Sequence, residues 1–149
     1  MTATRSVAGR CHCENVTFAL ETSIEPELLP LRACRCAFCR RHGARNTSDP
    51  RGRLAMTVRD SRALMRHRFA LSMTDFVVCG RCGVYVAAMM AHDGAWLATV
   101  NVNAMDDLRP FAREATPMTY DGESTDARLA RRLTVWTPTE LVFADGSSQ

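Results

Sequence analysis

Seven cysteines carry most of the chemistry open to this sequence, and they fall into three clusters: Cys11-x-Cys13, Cys34-x-Cys36-x-x-Cys39 and Cys79-x-x-Cys82. An odd count excludes complete disulfide pairing. A bridge within Cys-x-Cys would also be strained, because residues i and i+2 of an extended chain do not bring their sulfurs into disulfide geometry. Metal ligation accounts for the number better. A structural zinc takes four thiolates in a closed tetrahedron, whereas a reactive zinc keeps three protein ligands and one open position, so one site of each kind uses all seven. In "VVCGRCGVYV", residues 77–86, a glycine follows each cysteine and the β-prone run Val84, Tyr85, Val86 comes next. A redox Cys-x-x-Cys ordinarily opens a helix that lowers its thiol pKa. No helix is expected here, and the stretch reads as a metal knuckle joining two strands.

The knuckle supplies two ligands and needs a distant partner, either Cys11 and Cys13 or a pair from the central trio. Spacing favours the first, because it leaves Cys34, Cys36 and Cys39 together as a three-thiolate site. His12 and His42 complicate this, since Cys36-x-x-Cys39-x-x-His42 could close the fourth position and make that site structural as well. Zinc with three thiolates carries a net charge of −1 and is a weak Lewis acid. A further thiol bound there would be deprotonated by the metal yet remain electron-rich. Such a sulfur suits use as a nucleophile. Arg35, Arg40 and Arg41 adjoin the trio and could offset its charge or hold substrate carboxylates bidentately. Tyr85, His42 and Asp49 are the candidates for a general acid or base.

The 149 residues suit one domain, spanning 1–149, and 46% apolar with 23% charged content is ordinary for a soluble globular chain. No apolar run approaches the roughly 20 residues that span a bilayer. The opening MTATRSVAGRCHC lacks the apolar core of a signal peptide, so a reducing cytoplasmic location is expected. All 19 basic residues are arginines. Eleven lie from Arg32 to Arg68 against two acids, Asp49 and Asp60, so that segment carries +9 and the remainder −6. A localised positive field suits an anionic partner, either a small carboxylate-bearing molecule or nucleic acid. The modest net charge of +3 and the absence of exposed-looking aromatics interleaved with these arginines speak against nucleic acid. The alternative to an enzyme is a non-catalytic zinc module that docks this segment on nucleic acid or a protein.

Strands are expected at Val16–Glu21, Leu54–Val58, Phe76–Cys79, Val84–Met89 and Trp96–Val102. The six prolines read as loop punctuation between them. A helical turn is expected over Asn101–Leu108, ended by Pro110, and a short helix over Thr125–Leu133, capped by Thr125 or Asp126. Trp96, Trp136, Phe76 and Tyr85 suit core or pocket wall. The sum is a mainly β (mixed β with short helices), zinc-stabilised single domain.

"GRCHC", "CRCAFCRRHGA" and "CGRCGVYV", in this order and spacing, resemble the glutathione-dependent formaldehyde-activating enzyme family, which includes centromere protein V-like members. The resemblance covers about residues 9–109 and ends at "NVNAMDDL". It implies a mixed β fold with two zinc ions. Cys11, Cys13, Cys79 and Cys82 would hold a structural zinc, and Cys34, Cys36 and Cys39 a reactive one. The implied chemistry is attack of a thiol sulfur on an aldehyde carbon to give a hemithioacetal, or the reverse cleavage of a carbon–sulfur bond, with glutathione or another small acidic thiol, or its aldehyde adduct, as substrate. Two segments depart from the family pattern, the polar "RNTSDPRGR" after "RHGA" and the C-terminal "TYDGESTDARLARRLTVWTP".

Overall fold

The computed structural model describes residues 3–148. In chain order its regular elements are β1 (Arg5–Arg10), β2 (Val16–Thr22), β3 (Arg32–Cys34), α1 (Ala37–His42), β4 (Asn46–Thr47), β5 (Arg53–Val58) and β6 (Leu64–His67). These are followed by β7 (Asp75–Cys79), β8 (Tyr85–His92), β9 (Ala95–Asn101), β10 (Thr116–Met118), α2 (Thr125–Val135) and β11 (Thr137–Phe143). The mainly β class with short helices is therefore the observed one.

Alternation makes the strands. β2 buries Val16, Phe18, Leu20 and Thr22, and β5 buries Leu54, Met56 and Val58, each at every second position. β8 instead buries Tyr85 to Met90 without a break, because it is covered on both faces. The strands form one branched sheet. β9 pairs along one edge with β8 and shares its other edge between β11, at Trp96–Ala98, and β4, at Val100–Asn101. One branch runs β11–β5–β2–β1, the other β4–β3–β10, while β8 continues to β7 and β6. The main core joins Phe18, Leu20, Met56, Val77, Met89 and Leu141. A smaller apolar cluster of Ala88, Met90 and Trp136 seats Leu129 and Val135 of α2 on the sheet's opposite face.

The five expected strands are present with shifted ends. β1, β3, β4, β6, β10, β11 and α1 add to them: β1 buries only Gly9, and β11 carries a proline. Pro138 and Pro117 lie inside strands rather than between them. Pro138 precedes the pairing with β5, which begins at Thr139, and Pro117 sits in β10 at the end of a branch, places where a missing N–H is tolerated. Pro110 lies within a 3-10 turn, Arg109–Phe111, and the turn before it spans only Val102–Ala104. α2 is capped by Ser124, whose Oγ accepts from the Ala127 N–H at 3.1 Å.

The polar segment after α1 is not a solvated turn. Asn46, Thr47, Ser48 and Asp49 are all buried. The Asp49 carboxylate accepts from Thr22 Oγ1 at 2.6 Å, the Asp49 N–H donates to Thr137 Oγ1 at 2.8 Å, and Ser48 Oγ donates to the Val135 carbonyl at 2.7 Å. These bonds fasten the C-terminal chain to the sheet. At the start of the chain, Gly9 lets β1 lie against β2: a Cβ there would stand 2.2 Å from Phe18 Cζ and 2.5 Å from the Ala104 carbonyl oxygen. Gly9→Ala is therefore expected to lower the unfolding free energy by about 1–3 kcal/mol, the usual cost of overpacking, as measured by urea denaturation.

Candidate metal centres

The turn after β1 carries Cys11 and Cys13, and the turn between β7 and β8 carries Cys79 and Cys82. Local bonds shape both turns. The Cys11 N–H donates to the Val16 carbonyl at 2.9 Å, and the Val16 N–H donates to Cys11 Sγ at 3.3 Å. In the second turn the Gly83 N–H reaches the Cys79 carbonyl at 2.7 Å, with Gly83 at φ 82°, a conformation that favours glycine. The four sulfurs lie within 4.8 Å of one another. Cys11 and Cys13 are 3.8 Å apart, and Cys13 and Cys79 3.5 Å. A tetrahedron with metal–sulfur bonds of about 2.3 Å has edges of about 3.8 Å, so the set suits zinc. Burial raises the Cys11 thiol and pushes Cys79 up to about 12. A cation is what would hold these sulfurs as thiolates.

The second group comprises Cys34, Cys36 and Cys39, again within 4.8 Å. Cys34 ends β3, Cys36 caps α1, and Cys39 lies one turn in, with its N–H donating to Cys36 Sγ at 3.4 Å. Hydrogen bonds from Cys34 and Cys39 lower the Cys36 thiol, and the same contacts raise the other two. One sulfur of three ionises readily, and a bound cation would ionise the rest. His42 is not among these clustered ligand atoms. It is exposed on α1, with its ring centroid 4.5 Å from Phe38 and 5.5 Å from Tyr85.

Cys34 and Cys39 stand between two hollows. One is a wide surface depression that also contacts Arg35, Arg40 and Arg45. The other is a cavity of about 70 Å³, room for roughly five water-sized groups, walled by Arg32, Asn46, Tyr85, Tyr120, Arg132 and Trp136 among others. Tyr85 reaches the cavity through a slip in register. Val77 faces Ala87 but Val78 faces Tyr85, which leaves Val86 as an extra residue. Val86, Ala87 and Met89 stay in the main core, while Tyr85 turns to the side of Ala88 and Met90. The Tyr85 hydroxyl is buried without a hydrogen-bond partner, and burial, with the neighbouring cysteines, raises it well above its ordinary range. Asn46 Oδ1 and Arg132 Nε are also buried and unpartnered.

Of the arginines singled out in the sequence, Arg40 and Arg35 border the depression, and Arg41 is exposed, with Nη1 donating to the Ala37 carbonyl at 3.4 Å. Asp49 is occupied in the C-terminal fastening and does not line the cavity. Phe76, Tyr85 and Trp136 line the cavity, and Trp96 packs on the main core. Sequence reasoning missed Arg32, Tyr120, Arg131 and Arg132. The sequence signal was the run Arg128, Arg131, Arg132 in the short helix: Glu123 takes hydrogen bonds from the first two, leaving the third.

A mainly β protein with a four-cysteine and a three-cysteine cluster, each able to hold a metal ion, is what fold and site define. A profile of the glutathione-dependent formaldehyde-activating enzyme family matches residues 6–121, most of the chain, and the chain belongs to that family. A crystal structure of a Rhodobacter sphaeroides protein is similar, with a TM-score of 0.54 at 26% identity over 74% of this chain and 97% of that one. No curated protein sequence matches the chain. The family match ends at Asp121, so α2 and β11 lie beyond it. No helix among the described residues is long and apolar enough to cross a membrane.

Ser48 joins the parts of the cavity wall, accepting from Arg32 Nη1 at 3.0 Å while donating to Val135 at the end of α2. Ser48→Ala is expected to cost about 1–3 kcal/mol, because it strips that carbonyl of its donor. Urea unfolding followed by tryptophan emission measures the loss.

Proposed function

We propose that the protein is a zinc-dependent carbon–sulfur lyase, working in either direction between a small acidic thiol such as glutathione, an aldehyde, and their S-hydroxyalkyl adduct. The observation that carries this reading is the position of Cys34 and Cys39, which border both a wide arginine-edged depression and a smaller cavity. A closed structural site has no use for access from two sides. The family's printed description, formaldehyde activation dependent on glutathione, supports the same chemistry.

Cys11, Cys13, Cys79 and Cys82 would hold one zinc in a closed set, and Cys34, Cys36 and Cys39 a second. The second ion, when bound, supplies an open position at which an incoming thiol ionises. Arg40, with Arg35 and Arg45 on the depression's edge, takes the thiol's carboxylates by charge-assisted hydrogen bonds. Arg41 adds to the positive field that draws in an acidic thiol. On the cavity side, the unpartnered Tyr85 hydroxyl donates a hydrogen bond to the aldehyde oxygen and stabilises charge building there as the carbon–sulfur bond forms. Phe38, edge-on to Tyr85 with centroids 5.0 Å apart, keeps that ring in place.

The zinc-loaded protein is expected to bind two equivalents of zinc, with the second lost first to a chelator and both lost on acidification, since thiolate ligands regain their protons as pH falls. Cys79→Ser should prevent soluble folding, whereas Cys36→Ser should stay folded and lose one zinc. Equal chelator resistance at both sites would count against the reading. Exchange spectroscopy of formaldehyde with glutathione should show rate enhancement by the parent protein, none by Cys36→Ser, and a rate lower by about 10²-fold for Tyr85→Phe. Weaker thiol binding by Arg40→Ala, and by the parent at raised salt, tests the depression.

A further inference from the structure

α2 presents the wrong neighbour to the protein interior for a helix that serves only packing. Arg132 is 6% exposed, while the adjacent Leu133 is 45% exposed. A buried arginine is rare unless paired, and an unpaired buried cation is costly. Among the described residues Arg132 forms no ion pair, and Glu123, just before α2, is taken by Arg128 and Arg131. Its guanidinium carbon lies 4.3 Å from the Trp136 ring centroid, its Nη1 contacts Met90 Sδ at 3.6 Å, and its Nε has no partner. Arg32, half-buried on the same cavity, bonds only the neutral Ser48 hydroxyl, again with no acid. Two cations and an unpartnered phenol thus surround a space of about 70 Å³ beside Cys34 and Cys39. A space of that size suits a small ligand of a few non-hydrogen atoms.

We propose that this cavity is a subsite for a carboxylate-bearing aldehyde, the two-carbon 2-oxo acid, anchored by Arg132 with Arg32. The inference rests on the carbon–sulfur reading above and names its electrophile. The carboxylate pairs with the guanidinium, as buried bidentate arginines favour, and the adjacent carbonyl points to Tyr85 and the trio. The thiolate sulfur adds to the carbonyl carbon, the π electrons pass to oxygen, and that oxygen takes the proton the thiol gave up. The product is a 2-hydroxy-2-thio acid, with nothing oxidised or reduced.

The test is binding without a thiol, in the zinc-loaded protein on a Trp96→Phe background so that Trp136 alone reports. Glycolate, an unreactive analogue of the right size, is expected to change the emission saturably, and ethylene glycol, its uncharged counterpart, is not. Arg132→Gln should weaken glycolate at least tenfold, and Arg132→Lys, which keeps the charge but not the fork, should fall between. If Arg132→Gln does not fold, the comparison of glycolate with ethylene glycol and the Arg132→Lys shift still decide. Equal binding of the two probes, or unchanged glycolate affinity in both variants, overturns the proposal. A response to S-methylglutathione with none to glycolate also overturns it, because the carboxylate would then belong to the thiol. No turnover enters this measurement, so its failure leaves the formaldehyde exchange result standing, and the reverse holds too.

Discussion

Four sulfurs packed within 4.8 Å, with burial pushing Cys79 up to about 12, do not hold themselves together. Thiols are weak donors and weak acceptors, and a cluster of thiolates without a cation repels itself. What they can share is a metal ion, and the rest of the molecule depends on that junction. It ties the turn after β1 to the turn between β7 and β8, 66 residues away in sequence for Cys13 and Cys79. Gly80 allows the second turn to lie close to β6, its N–H donating to the Ala63 carbonyl at 2.6 Å where a Cβ would stand 2.9 Å from the same oxygen. The knuckle so fixed ends where β8 begins, and the one-residue slip in register directly after it is what turns Tyr85 out of the main core. The four-cysteine cluster therefore lies next to the slip that aims Tyr85 at the three-cysteine one.

The C-terminal chain completes the second site. α2 and β11 fall outside the family match, yet they close the cavity through Arg132 and Trp136 and are fastened by the buried polar segment at Asn46–Asp49. The two segments that depart from the family pattern are thus partners in one construction. Buried hydrogen bonds hold them because each polar group there, taken from water, needs a fixed counterpart. Such bonds also give the wall a defined position, which a purely apolar contact would leave looser.

Much of the fold was legible in the sequence because it depends on short-range pattern. β2 and β5 alternate, and the run after Gly83 is too apolar to be anything but buried. β1 and β11 were not legible, since Gly9 and Pro138 break the pattern locally and are tolerated only for reasons set by neighbours: a close approach to Phe18 in one case, pairing with β5 that starts one residue later in the other. α1 is six residues long, too short for a helical period to register, and is fixed by the Cys36 cap and by Gly43 at φ 57°.

The three cysteine clusters were legible in the sequence, because ligand type and spacing within a turn are local properties, but only the fold brought the Cys11 pair to the Cys79 pair, a division of the seven that spacing merely favoured. Which arginines stand beside the trio was decided by tertiary structure. Arg40 and Arg41 adjoin the cysteines in sequence but lie on the exposed side of α1, while Arg132, 93 positions beyond Cys39, shares a cavity wall with it. The physical reason is that a side chain's facing follows from register and from what its element packs against. A one-residue slip in β8 and the seating of α2 on Ala88 and Met90 settle that, and neither is written in the spacing of the residues that do the chemistry.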